Sequence, residues 1–477
     1  MDAALPQLQT VRRRLAQHYL NELQAANAAF GRGHDHSTYG LARFDREWLQ
    51  IKHWQAWSAT RQQQDTASAS LCAQYSAAGA ELLALRQTPQ ERIAWLEAGR
   101  QAARSIHNQP AEVVCTFLLA WALHKQALIE PAQTAAREAL ALAEAIGDKL
   151  YAGRSLHLLG EIAVRQGQFG EARRLHERSL GLLRAAGAQA PLAELYFSLS
   201  ELSYLEGDFA AARDDAWQSH LILEALGLSP TTNNNLTWLG VTTVEAGDLA
   251  AGERYFLQSI ALCRAAGARS TLAHALYALS GLMLLEKEVE RARATIAESL
   301  EIAQAMGEQW LIPYILIHRA ELGCLVGDLP AADDDVEQVV EMARQTGYRL
   351  TLSTALIYRA KVRLALGDVG AARAALREAL EVGTAARLKI DLAHGLLIAA
   401  RLWRQLGHIA QAAEWVNLLL SEPGVETFVR NQVRECAAEL QADLGPAEFA
   451  AAAERGRRLR FDAVIALLTE ELAATNW

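Results

Sequence analysis

The feature that most constrains this chain is a period of 40 residues, which runs without insertion through most of its length. A glycine, a small polar residue, an apolar residue and, three positions on, a small residue recur together. The motif reads Gly167-Gln168-Phe169 to Ala172, Gly207-Asp208-Phe209 to Ala212, and Gly247-Asp248-Leu249 to Gly252. It returns as Gly327-Asp328-Leu329 to Ala332, Gly367-Asp368-Val369 to Ala372, and Gly407-His408-Ile409 to Ala412. Lys287-Glu288-Val289 to Ala292 fills the gap, and Ala127-Leu128-Ile129 to Ala132 starts the series, which makes eight copies. A second set of glycines (Gly147, Gly187, Gly227, Gly267, Gly307 and Gly347) keeps the same period, 20 residues out of phase. Self-similarity of this kind builds arrays in which each unit packs on its neighbours, so a chain of 477 residues need not divide into several globular domains.

Two breaks per period predict two helices per repeat, each of about 15 to 17 residues once the turns are removed. Glycine suits the breaks because a helix ends most easily on a residue that adopts positive φ. Between the breaks the apolar residues keep helical spacing, as in Leu195, Leu199, Leu202 and Leu205, or Leu376, Ala379, Leu380 and Val382. No segment sustains a period of two, so no strands are expected. The small residue after each turn fits a close crossing of the two helices of a hairpin.

The positions Tyr196-x-x-Leu199-Ser200 … Gly207-Asp208-Phe209-x-x-Ala212 resemble the tetratricopeptide repeat, and Leu156-x-x-Leu159-Gly160 … Gly167-Gln168-Phe169-x-x-Ala172 matches it more closely. The usual unit is shorter, about 34 residues. The resemblance implies an all-α, right-handed α-solenoid of helix-turn-helix repeats, with the first helix of each repeat lining a concave face. The tail Phe449 to Val464, with Glu454-Arg455-Gly456 and Asp462-Ala463-Val464, is similar to the segment that closes the sensor region of maltose-activator-like signal-transduction ATPases. The stretch Arg92 to Ala98 adds to that likeness. The chain has no GxxxxGK[ST] loop, so the resemblance extends to a sensor region without the ATPase or DNA-binding modules. The expected layout is an N-terminal helical cap over 1–63, a degenerate first repeat pair over 64–106, eight repeats over 107–426 and C-terminal capping helices over 427–477.

Net charge is −9, with 46 basic and 55 acidic residues mixed along the chain. That pattern lacks the basic stripe a phosphate backbone requires, so no direct nucleic-acid partner is expected. The five cysteines make no CxxC pair and read as reduced core residues. No uncharged apolar run reaches about 18 residues and the first residues lack the apolar core of a signal peptide, so no membrane contact and a cytoplasmic location are expected. His34, Asp35 and His36 form a compact set of metal-type ligands, but neighbouring loop positions seldom converge on one ion, and the plain reading is a solvated loop. Asp333, Asp334 and Asp335 follow Pro330, where a helix dipole favours negative charge. No HExxH, GxSxG or Cys–His pairing occurs. No catalytic residue, metal or cofactor is expected, and the chain reads as a non-enzyme.

Phe44, Trp48, Ile51, Trp54 and Trp57 give the second N-terminal helix a dense aromatic face, which suits a cap on the array; it also offers a surface for a partner or for a second copy in a homo-oligomer. The inward positions of the first helices lie 13, 10, 6 and 3 residues before the turn glycine. They give Arg154, His157 and Glu161, then Glu194, Phe197, Glu201 and Tyr204, then Asn234 and Thr237. His274, Tyr277, Tyr314, Glu321, Lys361 and Arg401 continue the rows, and Thr231-Thr232-Asn233-Asn234-Asn235 adds amides at the head of one helix. Aromatic anchors among donors and acceptors suit a peptide or protein ligand on the concave face. The alternative is a regulatory sensor subunit that acts with a separate ATPase or effector, or senses a small molecule.

Overall fold

A computed structural model describes residues 4–30, 35–126, 128–227, 233–422 and 424–474. Its helices run in chain order and no strand occurs among the described residues. Two compact units are present, one made of Met1–Ser198 with Leu221–Ser229 and the other of Leu199–His220 with Pro230–Trp477.

The first unit opens with a hairpin of α1 (Ala4–Phe30) and α2 (Asp35–Arg61). It continues through α3 (Thr66–Ala77), α4 (Ala80–Arg86), α5 (Pro89–Ser105), α6 (Gln109–Lys125), α7 (Ile129–Ile146), α8 (Lys149–Arg165), α9 (Phe169–Ala186) and the start of α10 (Gln189–Leu205). Gly40 lets α2 approach α1, since a Cβ there would fall 2.6 Å from the Phe30 nitrogen and 2.7 Å from the Ala26 oxygen. The aromatic face of α2 turns inward. Phe44, Ile51 and Trp54 are buried with Leu20, Leu23, Tyr75 and Trp95, and Trp48 and Trp57 pack against them. That face forms the core between these helices; the exposed large hydrophobics among the described residues of α1 and α2 are instead Leu8, Val11 and Leu15 on α1 and Tyr39 and Leu49 on α2. His34 lies outside the described residues, as do the side chains of Asp35 and His36.

The second unit contains the end of α10, most of α11 (Phe209–Ala225), α12 (Asn233–Glu245), α13 (Leu249–Ala266), α14 (Arg269–Leu285) and α15 (Val289–Met306). After these come α16 (Ile312–Val326), α17 (Leu329–Thr346), α18 (Arg349–Ala365), α19 (Val369–Ala386), α20 (Lys389–Gln405) and α21 (Ile409–Ser421). The chain then adds α22 (Thr427–Leu444), α23 (Pro446–Gly456) and α24 (Phe461–Ala473). One continuous core runs through it, from Val244 to Leu472.

The repeat motif acquires a physical reason at each position. The turn residue takes a left-handed backbone, and the three non-glycine residues with positive φ, His107 (54°), Lys287 (58°) and Arg387 (55°), all fall on the two glycine phases. The aspartate that follows the turn glycine is a helix N-cap: Asp208, Asp248 and Asp368 accept the backbone N–H of Ala211 (3.0 Å), Ala251 (2.9 Å) and Ala371 (3.0 Å). The small residue four positions on sits at the hairpin crossing, where a Cβ on Gly252 would lie 2.3 Å from a Val244 methyl.

The acidic run on α17 does different work from that expected of it. It lies beyond the first helical turn, where the dipole has faded, and reaches sideways to neighbouring helices: Asp335 is buried and pairs with Arg319, and Asp333 meets Arg363 at 2.8 Å. Among the described residues, no group of three His, Cys, Asp or Glu side chains is arranged to hold a metal, and no helix is long and apolar enough to cross a membrane.

Candidate functional site

In the first unit the inward residues engage one another. The Arg154 guanidinium lies 4.6 Å from the Phe117 ring centre and 5.8 Å from that of Tyr151. His157 Nε2 meets Ser198 Oγ at 2.8 Å and Glu161 Oε1 at 3.8 Å, and its ring packs edge-on against His176 at 5.5 Å. Burial drives the imidazoles of His124, His157 and His176 down to about 3, which keeps them neutral. Glu194 is exposed and Phe197 half-buried on α10.

The second unit carries a longer aromatic surface. Tyr204 packs against Phe209 (5.3 Å) and Trp238 (5.1 Å), and Trp238 Nε1 donates to Ser200 Oγ at 2.7 Å. Thr237 is buried against Ser259 Oγ at 2.9 Å, whereas Asn234 is exposed and Glu201 half-buried. Thr231 and Thr232 lie outside the described residues, as does the Asn233 side chain; Asn235 is buried and donates to Ser219 Oγ at 2.6 Å. Further along, Tyr277 stacks on His318 at 4.4 Å and stands 6.2 Å from His274 and 6.3 Å from Tyr314. The Tyr314 hydroxyl meets Thr351 Oγ1 at 3.2 Å. Lys361 and Glu321, in the same position of adjacent repeats, form an ion pair whose side chains are only 10% and 4% exposed. Lys361 also lies 5.6 Å from the Tyr358 ring.

The segment between α21 and α22 folds back onto this surface. Gly424 comes so near Gly207 that a Cβ on Gly207 would sit 2.8 Å from the Gly424 Cα. Tyr204 Oη donates to Glu426 Oε1 at 2.5 Å, and the Thr427 amide donates to Glu245 Oε2 at 2.6 Å. Lys389 Nζ holds Glu422 at 2.7 Å, and Lys287 Nζ holds Glu435 on α22 at 2.6 Å. Burial, reinforced by the neighbouring Glu426, lifts the Glu245 carboxyl to about 8; burial also raises Glu426, against the hydrogen bond from Tyr204. The pair therefore retains a proton near neutrality. Burial lifts Asp391 to about 7, opposed by the nearby Ser353 hydroxyl and by Thr354 Oγ1, which donates to its carboxylate at 3.2 and 3.3 Å.

A cavity of about 1110 Å³ remains between α22 and the C-terminal ends of α14, α16, α18 and α20. Its floor follows the period. Glu321, Lys361 and Arg401 stand six residues before successive turns, and Leu284, Cys324, Leu364 and Arg404 stand three before. Phe428, Gln432, Glu435 and Glu439 of α22 form the facing wall. Three expected inward residues thus share one cavity, Tyr204 and Tyr277 lie in the aromatic surface, and Arg154 and His157 belong to the separate network of the first unit. Trp238, His318 and Tyr358 were missed by one position. They stand nine residues before their turns, and their aromatic recurrence at multiples of 40 was the available signal. Nothing local in the sequence announced Glu426.

No family model matches the chain, and no curated protein matches it in sequence. Among solved structures it is similar to a Rap protein complexed with competence and sporulation factor, at 13% identity and a TM-score of 0.55, over 76% of this chain and 98% of that one. It is also similar to the apo form of the quorum sensor NprR from B. thuringiensis, at 10% identity and a TM-score of 0.50, over 77% of this chain and 99% of that one. A signal transduction ATPase with a tetratricopeptide repeat sensor, from Pyrococcus horikoshii, aligns at 12% identity over 85% of this chain and 55% of that one, with a TM-score of 0.45. The first two likenesses establish the fold. The chain is an array of helical hairpins of the tetratricopeptide type.

Proposed function

We propose that this chain is a non-catalytic binding protein whose second unit takes a peptide on its inner face, in the cavity beneath α22. The observation that carries this reading is the cavity itself: its floor repeats one helical position every 40 residues, which offers an extended ligand equivalent footholds in successive repeats. Its volume of about 1110 Å³ exceeds the roughly 300–1,000 Å³ of ordinary small-molecule pockets and suits a short peptide. The two hydroxyl–imidazole contacts, Ser198 with His157 and Ser280 with His318, use imidazoles that burial lowers to about 3 and about 4, poor bases near neutrality, which supports binding over catalysis. The Rap protein to which the chain is similar carries bound competence and sporulation factor, and a binding role for this chain by that likeness is part of the proposal.

Affinity selection from a random peptide library on the full chain tests the reading. Ala365, exposed on the cavity floor, is the place to block it. Ala365→Trp is expected to weaken the selected peptides at least about tenfold, which is about 1.4 kcal/mol. Unchanged affinity would remove the cavity from consideration.

A further inference from the structure

We infer that Arg401 is the receptor for a carboxylate of the bound peptide. This rests on the peptide reading of the cavity and adds the chemistry of one ligand group. Most charged side chains of the cavity are committed to one another, and Arg434 on α22 is exposed and donates to Asn431 Oδ1 at 3.1 Å. Lys361 is held by Glu321, Lys287 by Glu435 at 2.6 Å, and Arg404 by Asp443 at 2.6 Å and by Glu439. Arg401 stands on the same row as Glu321 and Lys361, half-buried, and among the described residues no carboxylate pairs with it. Its neighbour is the Cys436 thiol, which burial keeps protonated and which is a weak acceptor. A guanidinium carries five N–H donors in a planar fork, and a thiol leaves most of them unanswered inside the protein.

The matching anion is planar and singly charged. A carboxylate accepts two parallel N–H bonds from such a fork. A phosphate would bring a second charge close to Glu321, Glu435 and Glu439 on the same walls, where like charges repel. Leu284, Leu325, Leu364 and Ile398 on the floor are there to take apolar side chains of the same ligand.

Random pentapeptide mixtures, prepared once as free C-terminal acids and once as C-terminal amides, are passed over immobilised full-length protein and over Arg401→Gln and Arg401→Lys. Circular dichroism checks that each variant is folded. The expected result is retention of the acid mixture at least about tenfold above the amide mixture, with the difference lost in Arg401→Gln and partly kept in Arg401→Lys. Should amides also be retained, enrichment of Asp or Glu in them, abolished by Arg401→Gln, assigns the carboxylate to a side chain and supports the inference equally. Equal retention of acids and amides without acidic enrichment, unaltered by Arg401→Gln, overturns the carboxylate assignment and leaves the peptide groove standing. No retention of either mixture by the native protein overturns the groove reading, and this inference with it.

Discussion

The first unit buries imidazoles, whereas the second buries carboxyl groups beside its imidazoles. His124, His157 and His176 are held neutral by burial, each down to about 3. Glu245 and Asp391 are raised to about 8 and about 7, and Glu426 is raised with them. Both units come from one helical repeat, so the repeat does not dictate the difference. It arises because the second unit receives the segment before α22, which brings Glu426 against Tyr204 beside Glu245 and closes water away from both carboxyls. The lesson is that a periodic scaffold acquires an individual chemistry from the one segment that departs from the period.

The sharpest break in the comparison should come from the buried ion pair. Lys361→Met leaves Glu321 uncompensated inside the second unit, at an expected cost of about 3–5 kcal/mol. Restoring much of that stability with Glu321→Leu in the same chain would identify the stranded charge as the cause. Urea unfolding read helix by helix, through pulsed hydrogen exchange, reports each unit on its own. Next in size is a pair of glycines with similar backbone. Gly187 has φ +66° and open space around its missing Cβ, so Gly187→Ala should cost the roughly 1–2 kcal/mol of a left-handed residue. Gly207 has φ +80° and Gly424 pressed against it, so Gly207→Ala should cost about 2–4 kcal/mol and loosen α22. Equal losses at the two sites would mean that the Gly207–Gly424 contact contributes nothing.

The pH response should separate the units next. Glu245 and Asp391 bind their protons more tightly folded than unfolded, so their contribution is full below the ordinary carboxylate range and is lost as pH rises through about 7 to 8. From pH about 8 to about 6.5 the second unit is expected to gain about 2 kcal/mol relative to the first, the three buried histidines of each unit cancelling in the difference. Below about 6.5 the first unit should weaken, because its depressed imidazoles contribute stability only above their unfolded pKa, and this is lost as pH falls toward about 3. The histidines of the second unit oppose its carboxyls in that acid range. Glu245→Gln should flatten the response between pH about 8 and 6.5, and a slope kept in that variant would assign it elsewhere. The smallest effects belong to the exposed pairs between successive outer helices. Arg264 to Glu298 at 2.7 Å and Arg344 to Glu378 at 2.8 Å should each be worth less than about 1 kcal/mol, so Arg264→Ala and Arg344→Ala are the quiet controls.

Most of the array was legible because its cause is local. A glycine phase marks where the backbone turns left-handed, an aspartate after it marks an N-cap, and the small residue beyond marks a helix crossing. Each is a statement about a few neighbouring residues. The inward rows were legible to within one position, since a helical stripe is wider than one residue; Trp238, His318 and Tyr358 fell on its second edge. The closure of the surface was not legible. Glu426 meets Tyr204 across 222 residues of sequence, and no periodicity encodes a contact that occurs once. The aromatic helix α2 was read correctly as apolar, but only packing could show that Trp54 faces inward and Leu49 outward.

The contacts of the segment before α22 and of α22 itself have a consequence for how such a chain can change over generations. Gly424 on Gly207, Glu426 on Tyr204, Thr427 on Glu245 and Glu435 on Lys287 match one stretch of chain to three successive hairpins on the other side. Loss or duplication of a whole 40-residue unit between α15 and α20 would preserve every hairpin and every cap, yet would shift this matching by a full step. An open array tolerates unequal recombination of its repeats. Here the folded chain measures its own copy number, and a gene that miscounts makes a protein that cannot fasten.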